Sequence, residues 1–261
     1  MNTSIGIDKT GSYRVYTACT IDAVTKAEEI HKSSNPSFGM VITAAGMMGL
    51  MLKAKGDKLS LIFKDAAGEE ILATANAQGA VKAYISKDDL SLQGGSLTVI
   101  KDLGLKEPYI GKTELKTGDI SRDLAEYFAL SEQQPSAVAL APNGGMIVQV
   151  MPDAKDEVIS ALEEKLFMMD NIALLVEDAE NDPEKLMQLI FKDDVKVLED
   201  RDITWQCDCS KERMRSALVS LGKKDLSEII EEDGKAELTC QFCKSTYSFD
   251  KEELMEILKN A

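Results

Sequence analysis

Residues 205–249 read WQCDCSKERMRSALVSLGKKDLSEIIEEDGKAELTCQFCKSTYSF, and this stretch decides how the end of the chain folds. Cys207 and Cys209 form a C-x-C pair, and Cys240 and Cys243 form a C-x-x-C pair 30 residues further on. Four thiolates in two close pairs suit Zn²⁺, which takes tetrahedral sulfur ligation. The chain has five cysteines, four of them in its last 55 residues. Because the count is odd and clustered, it predicts a metal site in a reducing compartment rather than a secreted disulfide framework.

The insert between the two cysteine pairs predicts a small α+β zinc-binding module over residues 205–261. KERMRSALVSL and DLSEIIEE are typical of two short helices hinged at Gly222, and strands follow around the second pair. A module of about 55 residues has a marginal apolar core. We therefore expect one Zn²⁺ per chain to supply much of the folding free energy of the module.

The same spacing permits a redox switch. Tetrahedral geometry holds neighbouring sulfurs about 3.8 Å apart, whereas a disulfide needs about 2.05 Å. Oxidation of either pair therefore removes two ligands and the main source of stability of the module. A zinc site with a purely structural role is the alternative that the spacing leaves open.

Residues 1–152 predict one α+β domain, a mixed sheet with helices. SYRVYTACT alternates like a strand, Thr20 is expected to cap a helix through Ile30, and Pro36 opens a second helix. LSLIFKDAAGEEILATA predicts two strands around a turn that contains glycine, and AVKAYI, SLTVI and YIGKTEL predict further strands. A helix capped by Asp119 or Ser121 is expected to run to Leu130. SAVALAPNGGMIVQVMP predicts a hairpin, because its Pro-Asn-Gly-Gly supplies the positive φ angles of a tight turn.

Residues 153–204 predict an acidic helical linker. They hold 16 acidic and 6 basic residues, so two thirds of the chain's net charge of −15 lies in 52 residues. Val158, Ile159, Leu162, Leu166 and Met169 recur at helical spacing between the acids. Such helices need a partner for their apolar side chains, yet their carboxylates repel one another. A helical subdomain packed on the first domain and a metastable segment that detaches are both open.

Composition excludes several classes of function. A net charge of −15 argues against general affinity for nucleic acid or anionic membranes. No secretory signal is visible, and the apolar stretch 40–52 is too short to span a bilayer, so we expect a soluble, cytoplasmic protein with a buried helix there. His31 is the only histidine, which excludes catalytic triads that depend on histidine.

The cysteine stretch resembles the C-terminal redox-switch domain of the heat shock protein 33 family. The similarity extends upstream through GGSLTVIKDLGLKEPYIGKTELKTGDI, DLAEYFALSEQQPSAVAL and GGMIVQVMP, so it covers nearly the whole chain in the expected order. The chain is therefore identified as a member of that family, whose proteins are redox-regulated, ATP-independent holdase chaperones of the bacterial cytoplasm.

The resemblance implies a mechanism. In the reduced state the four cysteines hold zinc and the chaperone is inactive. Hypochlorite, or peroxide with mild heat, forms the disulfides Cys207–Cys209 and Cys240–Cys243, zinc leaves, and the linker is destabilised. The protein then forms a homodimer and holds unfolding or oxidatively damaged client proteins against aggregation. The family is not enzymatic, and the acidic charge already argues against nucleic acid and membrane as partners.

A holdase needs apolar surface that is covered at rest, and the linker is the preferred source of it. The expected client-binding residues are the apolar linker side chains Leu162, Leu166, Phe167, Leu189 and Ile190. The methionines at 40, 47, 48 and 51 would also suit clients, but a Met/Leu stripe at helical spacing favours a core role. Cys19 is interpreted as a buried bystander thiol. The stretches 85–97 and 139–146 are shorter than the family usually shows, which indicates trimmed loops.

Two other functions fit parts of the sequence. A zinc-ribbon nucleic-acid-binding protein would use Lys211, Arg213 and Arg215 beside the first cysteine pair. A thiol-disulfide oxidoreductase would use Cys240 and Cys243. The acidic charge opposes the first. The second lacks the strand–helix setting of thioredoxin-like enzymes.

Overall fold

Alternating apolar side chains generate many of the strands of this chain. The computed structural model describes residues 1–260. Within them the strands are β1 (Thr3–Asp8), β2 (Tyr13–Cys19), β3 (Lys58–Lys64), β4 (Glu70–Asn76), β5 (Ala80–Ile85), β6 (Ser96–Asp102), β7 (Tyr109–Glu114), β8 (Ser136–Ala141), β9 (Gly144–Val150), β10 (Val195–Arg201), β11 (Thr204–Trp205), β12 (Lys235–Thr239) and β13 (Thr246–Asp250). The helices are α1 (Ile21–His31), α2 (Pro36–Leu50), α3 (Ile120–Ser131), α4 (Asp156–Phe167), α5 (Ile172–Asp178), α6 (Pro183–Phe191), α7 (Lys211–Ser220), α8 (Lys223–Glu232) and α9 (Lys251–Asn260). The α+β class is confirmed.

The chain divides into two compact units, Met1–Gln206 and the residues from Cys207 onward. The first unit contains a five-stranded sheet in the order β10-β1-β2-β9-β8 and a six-stranded sheet in the order β11-β5-β4-β3-β6-β7. The predicted hairpins are confirmed: β3 pairs with β4 and β8 pairs with β9, both antiparallel. Both hairpins therefore form where the turn residues predict them.

The main core of the first unit surrounds α2. This helix is buried on nearly every side, which explains the unbroken apolar stretch in its sequence. Met47 and Met48 are buried, and Met40 and Met51 pack partly buried against the same core. The methionines therefore serve the core, as their helical spacing favoured.

A second apolar cluster joins the five-stranded sheet to residues 153–204. Side chains of β2 and β9, among them Tyr13, Val15 and Val148, pack there against Leu186 and Phe191 of α6. α4 and α5 add Leu162, Leu175 and Val176 to this cluster. The acidic helices thus cover an apolar face of the sheet.

The linker prediction was incomplete at its end. Its helices form as predicted, but Val195–Arg201 is the strand β10, which pairs antiparallel with β1. The apolar alternation of Val195 and Val197 stops at Leu198, and no side chain of β10 is buried, so the sequence gives only a short strand signal there. Residues 204 and 205 form the short strand β11, parallel to β5.

Side-chain capping is confirmed for the helix α3 and is absent from the helix α1. Asp119 caps α3, since its Oδ1 accepts a hydrogen bond from the Arg122 amide at 3.0 Å. Thr20 occupies the N-cap position of α1 but makes no side-chain capping bond. The prediction of capping by Thr20 was wrong because its hydroxyl lies 2.6 Å from that of Thr43 instead.

The second unit is small. α8 and α9 pack on the hairpin β12–β13, and α7 packs on these two helices. Their shared core contains the buried apolar residues Leu218, Leu226, Ile230, Phe249, Leu254 and Ile257. Gly222 has a φ of +87° between α7 and α8, a conformation that glycine adopts without steric cost. Across residues 1–260, no helix has the length and apolarity needed to cross a membrane.

Candidate metal centre

Local structure brings the four cysteines of the second unit together. Cys207 and Cys209 immediately precede α7, whose first turn is capped by Ser210 through the Arg213 amide at 3.3 Å. Cys240 follows β12, and Cys243 lies in the turn that leads to β13. The first cysteine pair therefore lies just before a helix, and the second lies at the turn of a hairpin.

The sulfur atoms form one cluster. The four Sγ atoms lie within 4.8 Å of one another. The Cys207–Cys240 distance is 3.7 Å, and the Cys209–Cys243 distance is 3.3 Å. A tetrahedral Zn–S₄ centre with bonds of about 2.3 Å has sulfur–sulfur edges of about 3.8 Å. The four cysteines thus fit a metal ion, and their sulfur chemistry favours Zn²⁺ among the common ions.

Two hydroxyl groups contact this sulfur cluster. The Tyr247 hydroxyl lies 3.1 Å from Sγ of Cys209, and the Cys243 thiol donates to Oγ of Ser245 at 3.3 Å. Sequence reasoning missed both residues as parts of the site. Ser245 immediately precedes β13 and Tyr247 lies in it, and the strand begins at residue 246, shortly after the C-x-x-C pair. This closeness in sequence to Cys243 was the signal that could have identified them.

The thiols differ in acidity. Burial raises the pKa of Cys207 and of Cys209. Burial also opposes ionisation of Cys243, but once the thiol is ionised the Ser245 hydroxyl and amide donate hydrogen bonds to the thiolate, which lowers the pKa of Cys243 to about 6. Cys243 is therefore the most readily ionised of these three thiols. Because the thiolate is the form that binds metal and reacts with oxidants, Cys243 is also the most reactive of them.

The basic residues beside the first cysteine pair form ion pairs. Lys211 Nζ lies 2.5 Å from Glu253, Arg213 contacts Asp208 at 2.6 Å, and Arg215 contacts Glu256 at 3.0 Å. All three acids lie in the second unit. Each cation therefore faces an acidic partner, which reduces the positive field that a nucleic acid would require.

Comparison with known proteins identifies the family. The family model described as "HSP33: Hsp33 protein" matches residues 4–250. This chain belongs to the Hsp33 family. A "33 kDa chaperonin" of Clostridioides difficile is 38% identical, over 95% of this chain and 95% of the relative. A "33 kDa chaperonin" of Bacillus cereus is 35% identical, over 96% of each.

A solved structure shows the same fold. The 33 kDa chaperonin (heat shock protein 33 homolog) of Thermotoga maritima aligns with a TM-score of 0.84 and 26% identity, over 99% of this chain and 97% of that one. Membership of the Hsp33 family supports a chaperone function, and the cysteine cluster fits a zinc or redox centre.

The five expected client-binding residues lie in the linker helices but differ in exposure. Leu162 and Ile190 are buried, and Leu166 is half-buried against the second apolar cluster. Phe167 is 87% exposed and Leu189 is 41% exposed. The expectation that all five are covered at rest is therefore wrong for these two, which face outward at the end of α4 and on α6.

Proposed function

We propose that this Hsp33-family chain is a redox-regulated, ATP-independent holdase that prevents aggregation of thermally unfolding and oxidatively damaged proteins. The observation that carries the proposal is the cluster of four sulfurs within 4.8 Å, at the head of a unit with a small apolar core. In the reduced state Cys207, Cys209, Cys240 and Cys243 would hold one Zn²⁺. The metal, when bound, stabilises four thiolates and crosslinks the two cysteine pairs.

Oxidation would dismantle this centre. We assign the disulfides to Cys207–Cys209 and Cys240–Cys243. Formation of each S–S bond from two thiolates releases two electrons, and one hydrogen peroxide accepts them, together with two protons from solvent, to give two waters. Each disulfide removes two of the four ligands. Proximity alone does not decide the pairing, because the contacts at 3.7 and 3.3 Å join cysteines of different pairs.

The linker supports the second step of the proposal. Its helices α4 to α6 cover an apolar face of the five-stranded sheet, and the segment carries a net charge of −10. Repulsion among the acids opposes docking, whereas apolar burial favours it. A small loss of stability would therefore release the linker, expose apolar surface on both sides, and keep the released segment in solution.

The remaining parts of the proposal follow from the same activity. The active form would be a homodimer, its partners would be unfolding client proteins, and it would work in the cytoplasm without enzymatic turnover. The nucleic-acid alternative is disfavoured by the ion pairs of Lys211, Arg213 and Arg215. The oxidoreductase alternative is disfavoured because Cys240 and Cys243 flank a hairpin turn rather than begin a helix.

The test measures zinc content and suppression of citrate synthase aggregation before and after treatment with peroxide at mild heat. We expect one zinc per reduced chain with little suppression, and zinc loss with strong suppression after oxidation. Retained zinc, or equal suppression in both states, would contradict the switch. Peptide mapping by mass spectrometry identifies the disulfides. Insulin-reduction turnover and a gel shift at low salt test the two alternatives.

A further inference from the structure

The strand β10 closes one edge of the five-stranded sheet. It pairs with β1 from Asp8↔Val195 to Thr3↔Arg201, and β1 pairs on its other side with β2. If the linker leaves, β1 becomes the edge strand and its outward N–H and C=O groups lose their partners. Such an edge binds any extended segment that can complete the ladder.

The pairing of β10 with β1 is irregular, and the irregularity lies in β10. Ile5 pairs with Glu199 and Gly6 pairs with Val197, so Leu198 is an extra residue in the linker strand. Over the same residues β1 pairs with β2 without any shift of register. Leu198 is 50% exposed. The edge of β1 is therefore regular, and a strand without a bulge would complete it better than β10 does.

Few side-chain contacts hold β10 in place. None of its side chains is buried, and Val195 and Val197 are only partly buried against the second apolar cluster. Two side-chain hydrogen bonds tie β10 to other elements: the Ser4 hydroxyl donates to Asp200 Oδ1 at 2.6 Å, and Arg201 Nη2 donates to the Ala77 carbonyl at 3.0 Å. An element attached mainly by backbone hydrogen bonds and with little apolar burial opens at low free-energy cost.

A notch beside Gly6 receives side chains of the linker. A Cβ at Gly6 would lie 2.6 Å from Cγ1 of Val195 and 2.8 Å from Sδ of Met187, so both linker side chains occupy the space that a larger residue would fill. When the linker leaves, this notch becomes a small apolar pocket next to the free edge.

We infer that the outer edge of β1, with the notch at Gly6, is a docking site for an extended segment of an unfolding protein with an apolar side chain at the notch, which β10 occupies at rest. This inference rests on the proposed function, because it requires release of the linker. Backbone pairing is independent of sequence, which suits a chaperone with unrelated clients, and the notch favours a β-branched side chain on one face. A proline at a paired position would prevent docking.

The test uses the oxidised full-length chain and a synthetic peptide of residues 195–201 without Leu198. Two control peptides are N-methylated at alternate residues, each in one of the two phases. In an edge-bound strand one phase faces β1 and the other faces solvent. We expect the unmodified peptide and one control to compete with unfolded citrate synthase, and the other control to compete about tenfold or more weakly. Equal competition by both controls overturns the inference.

Hydrogen exchange of the same samples gives a second readout. We expect β1 amides to lose protection on oxidation and to regain it when unfolded citrate synthase binds, while β3, in the interior of the six-stranded sheet, stays unchanged. Protection of β1 that depends on chain concentration without a client would assign the edge to a second copy and overturn the inference. If the oxidised chain does not suppress aggregation at all, the proposed function fails as well. Suppression without protection of β1 overturns the inference alone.

Discussion

The hydroxyl of Tyr247 lies 3.1 Å from Sγ of Cys209, and this contact joins the hairpin strand β13 to the first cysteine pair. Ser245, which immediately precedes the same strand, contacts Cys243 of the second pair. One sulfur of each pair therefore has a hydroxyl partner. Groups that hydrogen-bond to metal ligands orient them and tune how strongly they bind.

Replacing Tyr247 by Phe should weaken zinc binding. The substitution keeps the ring and removes only the hydroxyl, so Cys209 loses a hydrogen bond while the packing of the ring persists. Loss of such a partner lowers metal affinity by about 10- to 100-fold. Competition with a chromophoric chelator measures the affinity. Ser248→Ala, at an exposed position of the same strand, is the matched control and should bind zinc like the wild type. Equal affinity of Y247F and wild type would contradict the role of the hydroxyl.

Removal of the metal should unfold the second unit. Its core contains six buried apolar side chains, whereas structural zinc supplies about 10–16 kcal/mol of apparent folding free energy in small zinc modules. We expect a chelator to raise amide exchange throughout α7, α8 and α9, and added zinc under reducing conditions to restore protection. Persistent protection of these helices in the metal-free chain would show that the apolar core alone is sufficient.

Gly6→Ala should loosen the linker without oxidation. The new methyl group would meet Val195 and Met187 at distances below 3 Å, and overpacking of this kind costs about 1–3 kcal/mol. The cost falls on the contact between β1 and the linker. We expect faster amide exchange in β10 and α6, and release of the linker at a lower dose of oxidant.

The control for this substitution is Gly56→Ala. Nothing lies within 4 Å of a Cβ at Gly56, and no positive φ is recorded there. This variant should match the wild type in exchange and in release of the linker. If G6A also matches the wild type, the glycine is not required for the linker to dock.

Local patterns in the sequence predicted most of the fold, and non-local pairing explains what they missed. The hairpins and the core helix α2 follow from turn residues and apolar periodicity. β1 and β10 were not predicted, because one contains a glycine and the other has no buried side chain. Their pairing joins residues nearly 200 positions apart, and no window of sequence contains that information.

The metal centre was likewise predicted in part from local patterns and missed in part. The spacing of the cysteines predicted a common cluster because both pairs flank short, regular elements. The hydroxyl partners of Cys209 and Cys243 depend on the register of β13, which spacing does not encode. Exposure of Phe167 likewise depends on where α4 ends, a boundary that periodicity places only within a few residues.

Two substitutions in α4 should separate docking from client binding. Leu162 is the buried side chain of this helix, and Leu162→Ala should cost about 2–5 kcal/mol, seen as faster exchange of α4. Phe167 is 87% exposed, so Phe167→Ala should change stability by about 0.5 kcal/mol or less. If Phe167 contacts clients, F167A lowers suppression of aggregation at equal stability. Unchanged suppression would remove Phe167 from the client-binding set.

Cys19 should report release of the linker. It lies in the second apolar cluster under the linker, and burial, together with the charge of Asp182, raises its pKa to about 11. With this pKa only about one thiol in a thousand is ionised at pH 8, and the thiolate is the form that reacts. In the docked state we expect very slow alkylation by iodoacetamide, with a rate that rises about tenfold per pH unit below the pKa.

Oxidation of the four clustered cysteines should accelerate this reaction. Release of the linker takes Asp182 away from Cys19 and admits solvent, so both causes of the raised pKa disappear and the thiol titrates closer to its ordinary value. Mass spectrometry of the alkylated peptide at pH 8 measures the rate before and after oxidation. A chain that suppresses aggregation while Cys19 still reacts slowly would have gained its activity without uncovering this face of the sheet.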